Sequence, residues 1–329
     1  MNPSSFLLHA DYPEALSGET TPRSVGAHDI VTFGCLTGDY NRFHMDDHYG
    51  ASLPYGSRIA HGLLSASLAL GGLAQDAPLA VGRRHGGAYL SHFEVNYRQP
   101  VFPGDTLRTR WSLAKQADAG EAFAPVRTGF DVLNHKDQVV SDGHLLLQLP
   151  TATAVRHAPP PGPAAWPGAY FDPEPGRVYF LEDFQPGSHA GETEGRTLTE
   201  ADVIHYGGFT GDNGGHAGDA EFARQGLFGA RIVQPLLAFE IGFALWLKDW
   251  CRMGTPDSGL AGHLCDRWTF HAPFRIGDTL RCRYRTLSAR ASNSRPEMGL
   301  LICGLQMINQ RDEVNLAAEV VMMYPARKV

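Results

Sequence analysis

The sequence has no C-x-x-C pair, no H-E-x-x-H pair, no long basic block and no apolar run of membrane-spanning length. Its five cysteines, Cys35, Cys251, Cys265, Cys282 and Cys303, are odd in number and widely spaced. That pattern points to reduced thiols rather than to a disulfide framework or a zinc site. Histidines such as His48, His85, His92 and His205 show no metal-ligand spacing. His44 and His48 stand four apart in HMDDH, but their neighbours read as loop, which argues against a helical metal pair. With a formal net charge of −7, the chain offers no broad cationic surface for DNA or RNA. The N-terminal MNPSSFLLHADYPEAL lacks the basic start and long apolar core of a secretory leader. The expectation is a cytoplasmic protein with no nucleic-acid or membrane partner and no metal.

What is present fits an ordinary globular enzyme. At 329 residues, 43% of them hydrophobic, the chain is long enough for two domains and apolar enough to give each a core. Its chemistry is concentrated between Thr37 and Gly62, in TGDYNRFHMDDHYGASLPYGSRIAHG. This run places an acid (Asp39), a carboxamide (Asn41) and an imidazole (His44) within six residues. It then brings His61 and Gly62 to the start of an apolar, helix-forming segment, LLSASLALGGLAQ. An acid and a base beside the free N–H groups of a helix N-terminus can move protons while holding a developing oxyanion.

The rest of the first half supports that stretch. PRSVGAHDIVTFGCL reads as a short helix leading into it, and Leu63 to Ala74 as a helix buried on most sides. AYLSHFEVNYRQPV, GDTLRTRWSLAK, PVRTGFDVLN and QVVSDGHLLLQL follow, and their alternation predicts an antiparallel meander around that helix. From Pro150 to Pro175 the composition turns to proline and alanine, which predicts a linker over 151–177 between an N-terminal unit, 1–150, and a C-terminal unit, 178–329. Beyond it the first half recurs. Adding 173 carries Arg23 to Arg196, Thr37-Gly38-Asp39 to Thr210-Gly211-Asp212 and Arg58-Ile59 to Arg231-Ile232, and it lays PVFPGDTLRTR on PFRIGDTLRCR without a gap. The chain is an internal duplication.

The pattern T-G-D-x-N-x-x-H-x-D-x-x-Y, followed by R-I-A-H-G and an apolar helix, resembles the hydratase motif of the MaoC-like (R)-specific enoyl-thioester hydratases and dehydratases. The resemblance covers nearly the whole chain and implies an α+β fold: a double hotdog, each copy a central helix wrapped by an antiparallel sheet. It also implies that Asp39 and His44 are the catalytic pair and that the Gly62 N–H holds the thioester carbonyl. Asn41 is expected to order the loop or orient a catalytic side chain. The family's usual proline after the Asn is replaced here by Arg42. His61 is expected to satisfy nearby backbone groups rather than to act in catalysis. The implied reaction is reversible addition of water to a trans-2-enoyl thioester, giving an (R)-3-hydroxyacyl thioester. It needs no cofactor, and the substrate would ride on coenzyme A or an acyl carrier protein. Two hotdogs in one chain would form their own pseudo-dimer, with a homodimer as a further option.

The second copy departs from the motif. The same offset puts Ala217 at the place of His44, Gly214 at Asn41, Gln234 at His61 and Pro235 at Gly62. Proline has no N–H to offer a carbonyl. Asp212 survives, and His216 stands one residue from the imidazole's place. The expectation is one working site in the first half, with Asp212 capping its own loop. In GFALWLKDW the aromatic residues are expected to fill core rather than to line a widened acyl space. Two other functions stay open: a hotdog acyl-thioesterase, which the Asp39, Asn41, His44 and Gly62 set disfavours, and a non-catalytic acyl-binding subunit.

Overall fold

The computed structural model describes residues 8–78, 80–82, 87–116, 120, 122–151, 162–254 and 262–327. The first half runs β1 (Ala15–Glu19), β2 (Arg23–Ser24), α1 (Ala27–Thr37), α2 (Arg42–Met45), α3 (Asp47–Ser52), α4 (Gly62–Asp76), β3 (Tyr89–Tyr97), β4 (Thr106–Lys115), β5 (Phe123–Leu133) and β6 (Val139–Pro150). The second half repeats the order as β7 (Gly191–Glu192), β8 (Arg196–Thr197), α5 (Glu200–Thr210), α6 (Gly215–Gly218), α7 (Ala220–Gln225), α8 (Pro235–Trp250), β9 (Gly262–Phe270), β10 (Thr279–Ala291), β11 (Met298–Ile308) and β12 (Val314–Pro325). The four long strands and the helix predicted for the first half are all present. The short strands β1, β2, β7 and β8 were not expected, because two to five residues carry too little alternation to read.

The strands described form one antiparallel sheet in the order β1-β4-β5-β6-β3-β9-β12-β11-β10-β7, with β2 on β4 and β8 on β10. The halves join where β3 pairs with β9, in a register centred on Glu94 opposite Arg267. These two residues are equivalents under the 173 offset and bond across the seam at 3.0 Å. The chain therefore closes its own pseudo-dimer, as the double hotdog requires. Residues 152–161 of the linker lie outside the described residues. From 162 the chain carries no helix or long strand and lies along β10 and β11, where Gln306 accepts from the Trp166 N–H at 2.8 Å and Arg285 stacks 4.1 Å over the Trp166 ring.

α4 and α8 form the interior. α4 buries Leu63, Leu64, Leu70 and Leu73, and its serines Ser65 and Ser67 return their hydroxyls to its own carbonyls at 2.7 and 2.9 Å. Each buried leucine contributes about 1.5–3 kcal/mol of transfer free energy. α8 buries Phe239, Phe243, Trp246 and Trp250, so the aromatic residues of this segment are core, as expected. Each central helix also crosses to the other half. A Cβ on Gly71 of α4 would lie 1.9 Å from the Thr210 carbonyl oxygen at the end of α5, while Ala244 of α8, its equivalent, meets Gly38 at the end of α1. These crossings set the loop after each short helix against the helix of the opposite copy.

Candidate active site

α1 ends in the turn Thr37-Gly38-Asp39. Gly38 takes a φ of 94°, which glycine adopts without strain, and its N–H closes the helix on Gly34. Asp39 is buried, and its N–H donates to Thr37 Oγ1 at 3.3 Å. Asp39 Oδ1 accepts from the Asn41 N–H at 3.1 Å, and Asn41 Oδ1 accepts from the Phe43 N–H at 3.2 Å. Asn41 is thus the N-cap of α2, the single turn that carries His44. Acid and imidazole are tied together through one capping residue. Arg42 occupies the first position of α2, where the N–H has no intrahelical partner in any case, so the missing proline removes no bond. HMDDH lies on two short helices rather than in a loop, and α2 and α3 break at Asp46 with His48 exposed.

His44 Nδ1 lies 2.9 Å from the Ile59 carbonyl. A carbonyl only accepts, so Nδ1 carries the proton and Nε2 keeps its lone pair. Burial lowers the His44 pKa, against the opposing pull of the Asp39 charge and the Ile59 bond, and the field of His263 lowers it further. His61 sits with its ring 3.9 Å from that of His44 and 4.8 Å from Phe33. Its Nε2 is 3.0 Å from the Asp39 backbone carbonyl and therefore donates, while Nδ1 is buried with no hydrogen-bond partner among the described residues. Burial holds its pKa well below the ordinary histidine value. His61 fastens the Asp39 turn and buttresses His44, as anticipated.

Asp39, His44 and His61 bring their ligand-type atoms within 4.8 Å of one another. One nitrogen of each imidazole already meets a backbone carbonyl, His61 Nε2 that of Asp39 and His44 Nδ1 that of Ile59. Gly62 follows as the first residue of α4, with its N–H directed out of the helix start and free of an intrahelical partner. A Cβ there would come within 2.9 Å of the Tyr97 ring, so a side chain at this position would displace the tyrosine.

The second half keeps the scaffold and loses the groups. Gln234 takes the place of His61 and donates through Nε2 to the Asp212 carbonyl at 3.2 Å. The Ile232 N–H donates to the His216 carbonyl, as the Ile59 N–H does to Phe43, so His216 occupies the place of Phe43 and Ala217 that of His44. Pro235 opens α8. The register with His216 in the imidazole's place is overturned, because the ladder around it follows the unbroken offset.

A polar group that the sequence reading did not include lies on the seam. Tyr97 of β3 donates its hydroxyl to Asp266 Oδ2 of β9 at 2.7 Å, and His263 Nε2 lies 2.7 Å from Asp266 Oδ1. The His263 ring packs 4.7 Å from Tyr97 and 5.1 Å from Phe243. Under the offset these positions are Phe270, Phe93 and Leu90, all apolar and buried. The polar-for-apolar exchange between copies was the available signal.

A family model described as a MaoC like domain matches residues 13–128. The 3-hydroxybutyryl-CoA dehydratase of Methylorubrum extorquens is 30% identical over 150 residues, covering 46% of this chain and 89% of that protein. The (R)-specific enoyl-CoA hydratase of Aeromonas caviae is 36% identical over 82 residues, 25% of this chain and 57% of that protein. Among solved structures, a MaoC domain protein dehydratase from Chloroflexus aurantiacus superposes with a TM-score of 0.75 at 17% identity, covering all of both chains. A Mycobacterium tuberculosis protein with a double hotdog fold gives 0.70 at 17%, over 97% of this chain and 98% of that one. At those identities the two structures speak for the fold.

Proposed function

Because the chain belongs to the MaoC-like dehydratase family, we propose that it is a hydro-lyase that adds water reversibly to a trans-2-enoyl thioester, forming an (R)-3-hydroxyacyl thioester. The observation that carries this reading is the convergence of the Asp39 carboxylate with His44, whose Nε2 is left as an acceptor by the Ile59 carbonyl. His44 Nε2 takes a proton from water as the water oxygen bonds C3 of the enoyl group. Asp39 holds the same water and exchanges the proton at C2. The proton taken by His44 is relayed to the adjacent Asp39 carboxylate and delivered from it to C2, so each group ends the cycle in its starting protonation state. The enolate-like oxygen formed between these events accepts from the Gly62 N–H, where the positive end of the α4 dipole adds to the hydrogen bond.

Asn41 keeps Asp39 and His44 in one frame by capping α2 on one side and donating to Asp39 on the other. The thioester itself acidifies the proton at C2, so the scheme calls for no redox cofactor. The acyl carrier is coenzyme A or a carrier protein. The test is the loss of enoyl-thioester absorbance on adding the protein to crotonyl-CoA and to a longer or branched enoyl-CoA, with His44→Ala beside wild type. Conversion by wild type to the (R) product, absent in the variant, supports the reading. Release of free thiol without loss of the enoyl group would instead mark a thioesterase.

A further inference from the structure

We propose that the second half completes the site of the first, supplying His263 as a substrate-facing residue held in place by Asp266. This rests on the hydro-lyase reading and goes beyond it in making the site composite. Three observations carry it. Tyr97, Asp266 and His263 form a continuous hydrogen-bonded group across the β3–β9 seam, with both Asp266 oxygens engaged. The group abuts the helix start assigned to the oxyanion, because the Tyr97 ring closes on Gly62 and the His263 ring packs against it at 4.7 Å, tilted by 46°. Finally, the group exists on one side of the molecule only.

The asymmetry decides between a structural and a functional origin. On the mirrored side, beside the copy that has lost its imidazole, the equivalent residues Leu90, Phe93 and Phe270 fill the same space with apolar side chains. The fold thus needs no polar group there. Burying the Asp266 carboxylate fully is costly, and a hydrocarbon core is the cheaper solution. The expensive version stands beside the site that retains Asp39 and His44. Asp266 fixes the imidazole through Nε2, which leaves Nδ1 for a ligand, and His263 keeps a 22% exposed side chain whereas Asp266 has none. Phe243 of α8 holds the other face of the ring nearly parallel, at 11°. His263 is therefore aimed by one residue, clamped by two and close enough to His44 to act on its charge. Asp266 acts through His263 and is a positioning residue.

The experiment compares wild type with His263→Leu and with the triple variant Tyr97→Phe, His263→Leu, Asp266→Phe, which transplants the mirrored side's own packing and so guards against misfolding. Expected are native circular dichroism and a fall in kcat/KM of at least about ten-fold in both variants, the size of losing one charge-assisted hydrogen bond. The pH profile supplies a readout that packing alone would not move. The groups facing His44 are Asp39 and His61 from the first half and His263 from the second, and removing His263 moves the acid limb of kcat/KM to higher pH. Binding of butyryl-CoA, which cannot be hydrated, is measured calorimetrically in parallel. If wild type hydrates no enoyl-CoA but binds butyryl-CoA more tightly than His263→Leu does, the hydratase reading fails and the composite site stands. A triple variant with wild-type kcat/KM, pH profile and butyryl-CoA affinity overturns the proposal.

Discussion

Ser67 of α4 and Glu240 of α8 are equivalents under the internal repeat, and they hydrogen-bond to each other in the buried centre where the two copies meet. Ser67 Oγ also contacts the Leu63 carbonyl at 2.9 Å. The Ser67 hydroxyl is thus shared between two acceptors, the Leu63 carbonyl and Glu240 Oε1. Burial raises the Glu240 pKa well above its ordinary value of 4.5; the Ser67 hydrogen bond opposes that rise, and the charges of Asp212 and Asp266 add to it. That rise favours a proton on Glu240 at the centre of the pseudo-dimer.

A stability profile follows from that proton. With the folded-state pKa raised, Glu240 costs nothing below its ordinary value and destabilises the fold progressively as pH rises from about 4.5 towards the folded-state value. In that window the group removes up to about 1.4 kcal/mol per pH unit. Glu240→Gln is neutral at every pH and can donate to Ser67, so its melting temperature relative to wild type should climb as pH rises above about 5. A difference that stays constant with pH would contradict the raised pKa of Glu240.

Catalysis has its own pH signature. His44 serves as base only when neutral, and burial lowers its pKa, so kcat/KM should stay level down to a pH below the ordinary histidine value of 6.5 and then fall. Asp39 opposes that lowering, so the residual activity of Asp39→Asn should show its acid limb at still lower pH. Both Asp39→Asn and His44→Ala should reduce kcat by about 10²–10⁴-fold with unchanged circular dichroism.

His61 makes the bond to the Asp39 carbonyl that Gln234 makes to Asp212. His61→Gln should therefore fold and retain most of its activity, whereas His61→Ala leaves the carbonyl without its donor and should lose about 1–3 kcal/mol of stability. Urea unfolding of the two variants separates these outcomes. A glutamine variant as inactive as His44→Ala would move His61 into the chemistry.

Gly71 marks the tightest crossing between halves. A methyl group there would stand 1.9 Å from the Thr210 carbonyl oxygen, too close for the backbone to absorb without shifting α4 or α5. Gly71→Ala should cost about 1–3 kcal/mol, although alanine favours helices. A variant as stable as wild type in denaturant would mean that the helices yield at this contact.

Much of this protein is written locally. Thr37-Gly38-Asp39 makes the same αL turn as Thr210-Gly211-Asp212, since a helix end, a glycine and a short polar cap need only their immediate neighbours. The duplication, the buried helix from Gly62 and the clustering of Asp39, Asn41 and His44 were legible for that reason, as was the replacement of the motif's imidazole and glycine by Ala217 and Pro235 in the second copy. What the tertiary structure decided lies across the repeat. Tyr97 and Asp266 meet only because β3 pairs with β9, and Ser67 reaches Glu240 only because α4 lies against α8. Those contacts join residues some 170 positions apart, where no local propensity acts and strand register sets every neighbour. The sequence by itself determined which groups are available on each copy; the pairing of the copies decided which of them share a site.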